Sequence, residues 1–132
     1  MRTMRLKSTI ICAVVLLGLG ACTTAPVYNV ADAPVSPASG KTLQASQVRQ
    51  AIVTAGSALG WRIVDAGPGK LEGTLNLRTH VAVVEIPYSA TKYSIQYKGG
   101  ENLMATGGTV HKNYNGWVQN LDRGIRSAIA TL

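Results

Sequence analysis

Leu71, Gly73, Leu75 and Leu77 alternate strictly with Glu72, Thr74, Asn76 and Arg78. A period of two is satisfied only by an extended strand with one face buried, because successive side chains then leave on opposite sides of the pleat. The pattern repeats beyond a short break. With Thr79-His80 as a two-residue loop, Arg78 faces Val81, and Leu77, Leu75 and Gly73 face Ala82, Val84 and Ile86. A second loop at 89–92 sets Tyr88 opposite Tyr93, Ile86 opposite Ile95 and Val84 opposite Tyr97. A slip of one residue would turn each apolar set towards water, so the agreement predicts antiparallel neighbours. Trp61 and Ile63 alternate with Arg62 and Val64 ahead of the Gly67-Pro68-Gly69 turn, which adds a strand. Pro87 alone argues against the pattern, since a proline cannot donate to a ladder.

Helical spacing frames this meander. Val48, Ala51, Ile52, Ala55 and Leu59 form one stripe over 44–59, and Gly60 supplies a left-handed stop. Tyr114, Trp117, Val118, Leu121, Ile125, Ala128 and Ile129 form a heavier stripe near the end of the sequence, with Asn115, Gln119, Asp122, Arg123 and Arg126 on the other side. Trp117 is the expected centre of the contact between this helix and the sheet. Gly124, unfavourable inside a helix, is expected to permit close helix–sheet approach. Gly99-Gly100 and Gly107-Gly108 bracket an expected mobile loop holding Leu103 and Met104. The predicted fold is α+β with the order α-β-β-β-β-α, a four-stranded antiparallel meander with both helices packed on one face.

The first residues set the address. Arg2, Arg5 and Lys7 precede an apolar run from Ile10 to Gly20, and Leu19-Gly20-Ala21-Cys22 follows the pattern of a lipobox. The run is too short for the ~20 residues of a membrane-spanning helix. An ordinary secretory signal with a chance cysteine and an uncleaved anchor are the alternatives. Residues 1–21 are therefore expected to be a lipoprotein signal peptide, and 22–41 the acylated Cys22 plus a Pro/Ala/Ser tether. Residues 42–132 are expected to be the globular domain. Within the tether, Val27 to Val30 is a candidate edge strand. Thr23 after Cys22, in place of Asp, favours the outer membrane, with the domain facing the periplasm. Loss of the signal takes the net charge from +7 to +4, because three of the 13 cations and none of the six acids leave with it. That residue of charge suits anionic headgroups or cell-wall polymers, and suits ordinary solubility equally; nucleic acid is not expected. Cys12 leaves and Cys22 is acylated, so no disulfide staples the mature chain.

No reaction chemistry is legible. Gly56-Ser57 lacks the flanking glycines of a nucleophile elbow, and Gly69-Lys70 lacks the upstream glycine of a P-loop. His80 and His111, the two histidines, have no cysteine partner and no short His spacing, so neither metal nor cofactor is expected. His80 reads as a hairpin residue or a proton-transfer group with Glu85 or Asp65; His111 reads as a cap ahead of the last helix. Tyr93 and Tyr97 fall on the helix-covered side. The opposite face carries Asn76, Arg78, His80, Val81 and Val83 as a candidate partner surface, with two β-branched residues inside a polar rim. A partner could cover these valines, the Tyr28 segment could fold over them, or they could remain exposed.

Residues 74–86, Tyr93-Ser94-Ile95 and residues 111–123, which include His111-Lys112-Asn113-Tyr114 and Gly116-Trp117-Val118, resemble a family of small uncharacterised proteobacterial envelope lipoproteins. Lys112 departs from the proline of that pattern. The resemblance implies a Gram-negative envelope address and this α+β core, and no catalytic residue. The expected function is a non-enzymatic binding or accessory module, anchored at Cys22, with an envelope protein or peptidoglycan as partner. A structural lipoprotein touching the cell wall and a small envelope enzyme are the competing classes. Metabolic labelling with a fatty-acid probe checks the anchor: wild type takes up label, and Cys22→Ala loses it.

Overall fold

The alternating segments become neighbouring antiparallel strands, joined by two short strands from the region expected to be a tether. The structure is a computed structural model that describes residues 23–132. The expected signal peptide and the expected acylation site Cys22 lie outside the described residues. In chain order the elements are β1 (Thr24–Pro26), β2 (Val30–Pro34), α1 (Ala45–Ala58), β3 (Trp61–Asp65), β4 (Lys70–Leu77), β5 (His80–Pro87), β6 (Lys92–Glu101), β7 (Thr109–His111) and α2 (Lys112–Ala130). A five-stranded antiparallel sheet runs β2-β6-β5-β4-β3, and β1 pairs with β7 in a second sheet. The class is α+β, with the expected meander as β3 to β6.

The expected tether at 22–41 is corrected over 24–34. Val30 and Ala33 are buried in the core, and β2 takes up the outer edge of β6. The prolines tolerate this because an edge strand needs only one of its two rows of backbone groups. The ladder shifts between Val30 and Ala33, where the Asp32 N–H donates to Ser94 Oγ at 3.0 Å instead of to a strand. The candidate strand at Val27–Val30 therefore exists about three residues later.

The β4–β5 register is also corrected. Leu77 pairs with His80, Leu75 with Ala82, Gly73 with Val84 and Leu71 with Ile86. The turn is Arg78-Thr79, one residue earlier than expected, and each partner moves by two. Facing is unchanged, because a shift of two preserves the alternation. The β5–β6 pairing holds as predicted through Val84↔Tyr97 and the Tyr88↔Tyr93 bridge. Beyond it a bulge inserts Lys98, and Val83 meets Gly99. Pro87 closes β5 opposite Lys70, so it interrupts nothing. The expected mobile loop is corrected as well: β6 runs to Glu101, and Leu103 is buried.

The helices cover the face of Leu71, Leu75, Ala82, Val84, Ile86, Tyr93 and Ile95, all buried in one core. Gly73 lies on that face because a Cβ there would stand 3.0 Å from Ile63 and 3.3 Å from the Trp61 ring. In α1 the buried stripe is Val48, Ala51, Ile52, Ala55 and Gly56, while Leu59 is the C-cap and 43% exposed. In α2 it is Tyr114, Val118, Leu121, Ile125 and Ile129. Trp117 is one position off this stripe and only partly buried, so it borders the core instead of centring it. Gly124 admits α1, not the sheet: a Cβ would meet Leu59 at 3.3 Å and Ala55 at 3.6 Å.

Asp122, expected on the polar side of α2, is buried and accepts the Tyr93 hydroxyl at 2.5 Å and Arg126 Nε at 3.0 Å. Tyr114 is fully buried, with its ring edge-on to Tyr97, and its hydroxyl makes no hydrogen bond within the protein. Burial raises the pKa of both phenols, with the Asp122 carboxylate adding to the effect at Tyr93. Tyr93→Phe is expected to cost about 1.5–3 kcal/mol, since it leaves a charged acceptor short of a partner. Tyr114→Phe is expected to stabilise by about 1 kcal/mol by removing an unmade hydrogen bond. Urea unfolding reads both. Raised phenol values mean that stability is complete below the ordinary tyrosine value of about 10 and falls above it; Tyr114→Phe should flatten that alkaline loss.

Candidate functional site

Helices occupy one side of the sheet and leave the other open. On the open side Asn76 stands across from Val81, Thr74 from Val83, and Glu72 from Glu85. Two carboxylates directly opposite repel, and each is met by an ammonium. Lys98 Nζ lies 2.6 Å from Glu72, and Lys70 Nζ lies 3.6 Å from Glu85. The bulge in β6 frees Lys98 to reach across β5 to Glu72. That hydrogen bond, with the Glu72 charge, raises the Lys98 pKa. Val81 and Val83 are half-buried beside this quartet, and Val64 on β3 is 37% exposed. The face is an apolar strip flanked by two ion pairs. Covering it between them strands none of these four charges, while Arg62, across from Thr74, and Glu101, across from Val81, are exposed at its margins and in no ion pair among the described residues.

The predicted surface is only partly assembled. Asn76, Val81 and Val83 share the open face, and Arg78 occupies the turn at its end with φ 56°. His80 does not belong to it. Paired with Leu77, it follows the alternation of Ala82 and Val84 and faces the helix side. Its ring lies 5.8 Å from that of Trp117 and 5.5 Å from that of His111. The enzyme pairing fails geometrically as well: Glu85 is on the other face with Lys70, and Asp65 is held by Arg49 at 2.8 Å. The Asp65 pKa is lowered by its hydrogen bond to that guanidinium. Tyr28 is no cover for the valines, since its N–H donates to Asn115 of α2 at 2.9 Å.

The meeting of His80, His111 and Trp117 was not legible in the sequence, because the turn register and the docking of α2 jointly create it. The partners set the tautomers. The Asn102 carbonyl, 2.7 Å from His80 Nδ1, can only accept, so that nitrogen carries the proton. The Asn113 N–H donates to His111 Nδ1 at 3.3 Å, which makes His111 the N-cap of α2, as its position predicted. Neutral His80 thus offers a free acceptor at Nε2 and neutral His111 a donor. Among the described residues no three of His, Cys, Asp and Glu come together as a metal site, and no helix is long and apolar enough to cross a membrane. On the outer side of the helix layer, a shallow groove of about 440 Å³ runs between α1 and α2 past Ala55, Leu59 and Gly124.

Comparison with family profiles, with curated proteins and with solved structures gives no match. The geometry itself yields a prediction at the cap. His111→Ala should cost about 1 kcal/mol of stability, while His111→Asn, which can also cap, should restore most of it. Thermal unfolding followed by circular dichroism distinguishes the two.

Proposed function

We propose that the chain is an outer-membrane lipoprotein, acylated at Cys22 and facing the periplasm, that acts as a non-catalytic binding or accessory module through the open face of its sheet. The observation that carries this reading is the pairing of Lys98 with Glu72 and of Lys70 with Glu85 around Val81 and Val83. Covering an apolar strip is favourable, and covering a charge is costly unless it is already paired. The strip between the two ion pairs meets both conditions, with Arg62 and Glu101 left at its rim for solvent or an opposite charge on the partner. The lipobox and the resemblance to envelope lipoproteins support the address. The enzyme class loses support because the acids proposed to work with His80 are each engaged with a cation elsewhere.

The test places a charge in the strip. Val81→Glu and Val83→Glu should leave the unfolding midpoint within about 1 kcal/mol of wild type, since both positions are on the open face and half-buried. They should also cut capture of an envelope protein in crosslinking pull-downs by tenfold or more, while His80→Ala leaves capture unchanged. Unaltered capture by both glutamate variants would remove this face from the function. Salt-sensitive sedimentation with purified peptidoglycan, without any captured protein, would move the cell-wall class ahead.

A further inference from the structure

We infer that the domain is seated directly on an anionic phospholipid surface through the end that carries Arg78, Met104 and Lys112. This rests on acylation at Cys22 and goes beyond it, because an anchor alone would be compatible with a domain held well away from the membrane.

The chain is tied to the domain immediately after that cysteine. The Thr23 carbonyl accepts the Lys112 N–H at 2.9 Å, Thr24 pairs with His111, and the Val27 N–H donates to the Gly108 carbonyl at 2.9 Å. One peptide bond separates Cys22 from Thr23, so an acyl group on Cys22 enters the bilayer beside the start of α2. No length of tether remains to hold the domain off. The neighbours of this point follow from a chain of hydrogen bonds. The His111 N–H reaches the Leu103 carbonyl at 2.6 Å, His80 Nδ1 the Asn102 carbonyl at 2.7 Å, and Asn102 Nδ2 the Thr79 hydroxyl at 3.0 Å. The Arg78-Thr79 turn, the Asn102–Met104 segment and Lys112 therefore lie side by side.

The chemistry gathered there suits headgroups. Arg49, Lys70, Lys92, Lys98 and Arg126 are each in an ion pair; Arg78 and Lys112 are exposed and in none among the described residues, as are Lys41, Arg62 and Arg123 elsewhere in the domain. Met104 is 54% exposed and Leu77 42%. Glu101 is the acid of this region, and it pairs with Val81 on the open face of the sheet. Backbone conformation gives an independent sign. Arg78, Asn102 and Met104 are three of the four non-glycine residues at positive φ among the described residues, at 56°, 54° and 52°. Side chains as long as Arg and Met are disfavoured there. Holding them at the tips of two adjacent turns points to use of the side chains themselves. Phosphates attract the cations, and the apolar tips enter the interface.

The test uses the acylated protein extracted from membranes and reconstituted in vesicles. Ala105→Cys, beside an intact Met104, reports this end. Thr91→Cys, in the turn at the other end of the eight-residue β5, is the reference. Labelling by a water-soluble maleimide is compared on phosphatidylglycerol and on phosphatidylcholine vesicles. The Ala105→Cys rate relative to Thr91→Cys should fall about tenfold on the anionic vesicles, and Arg78→Glu with Lys112→Glu should abolish the difference; each cation near such a surface contributes about fivefold. Equal relative rates on both vesicles, or protection that survives charge reversal, would overturn the seating while leaving the anchor intact. A purified protein whose mass shows no acyl chain would overturn both.

Discussion

Docking of α2 onto the sheet is the contact on which the other features depend. Tyr114, Val118, Leu121, Ile125 and Ile129 are all essentially removed from water. Each large side chain contributes about 1.5–3 kcal/mol when fully buried. The same helix carries Asp122 to the Tyr93 hydroxyl, which locks α2 in rotation and in height against β6. It brings Gly124 against α1, His111 against His80, and the Lys112 N–H against Thr23. Shifting α2 by one turn would undo all of these at once. No cysteine lies among residues 23–132, so packing carries what disulfides supply in many small exported domains.

The two surfaces of the domain differ in how they treat charge. On the open sheet face, opposing carboxylates are each matched by a lysine, and the valines between them stay half-covered by their neighbours. At the end beside Thr23, Arg78 in its turn and Lys112 at the start of α2 are exposed and in no ion pair among the described residues. The first arrangement favours contact with an uncharged or apolar partner surface; the second favours a surface with negative charge of its own. On the proposed reading, one surface meets the membrane and the other remains free for a partner.

Particular residues show why some of this was legible and some was not. The strict alternation of Leu71 to Leu77 settled which side chains turn inward, since burial of one face tolerates no odd slip. It could not distinguish Leu75↔Ala82 from Leu75↔Val84, because both keep apolar against apolar; the position of the Arg78-Thr79 turn decided that. That same single-residue difference took His80 out of the expected loop and into β5, where the alternation of Ala82 and Val84 turns it to the helix side. Asp122 falls among polar residues in any helical projection, and only Tyr93, arriving from a distant strand, makes its burial favourable. Trp117 drew attention by size, although its place on the helix sets it at the border of the stripe. Val30 and Ala33 looked too sparse to fold, until the open edge of β6 supplied the hydrogen bonds they lacked.

By itself the sequence determined what is periodic or local: the inward faces of β4, β5 and β6, the two helical stripes, the stop at Gly60 and the cap at His111. These depend on neighbours in the chain, whose spacing is written in it. Tertiary structure alone decided the strand register beyond parity, the recruitment of β1 and β2, the burial of Asp122, and the grouping of Arg78, His80, Met104 and Lys112 at one end. Each of those requires two distant segments to meet, and the energy that selects the meeting belongs to neither segment until both are in place.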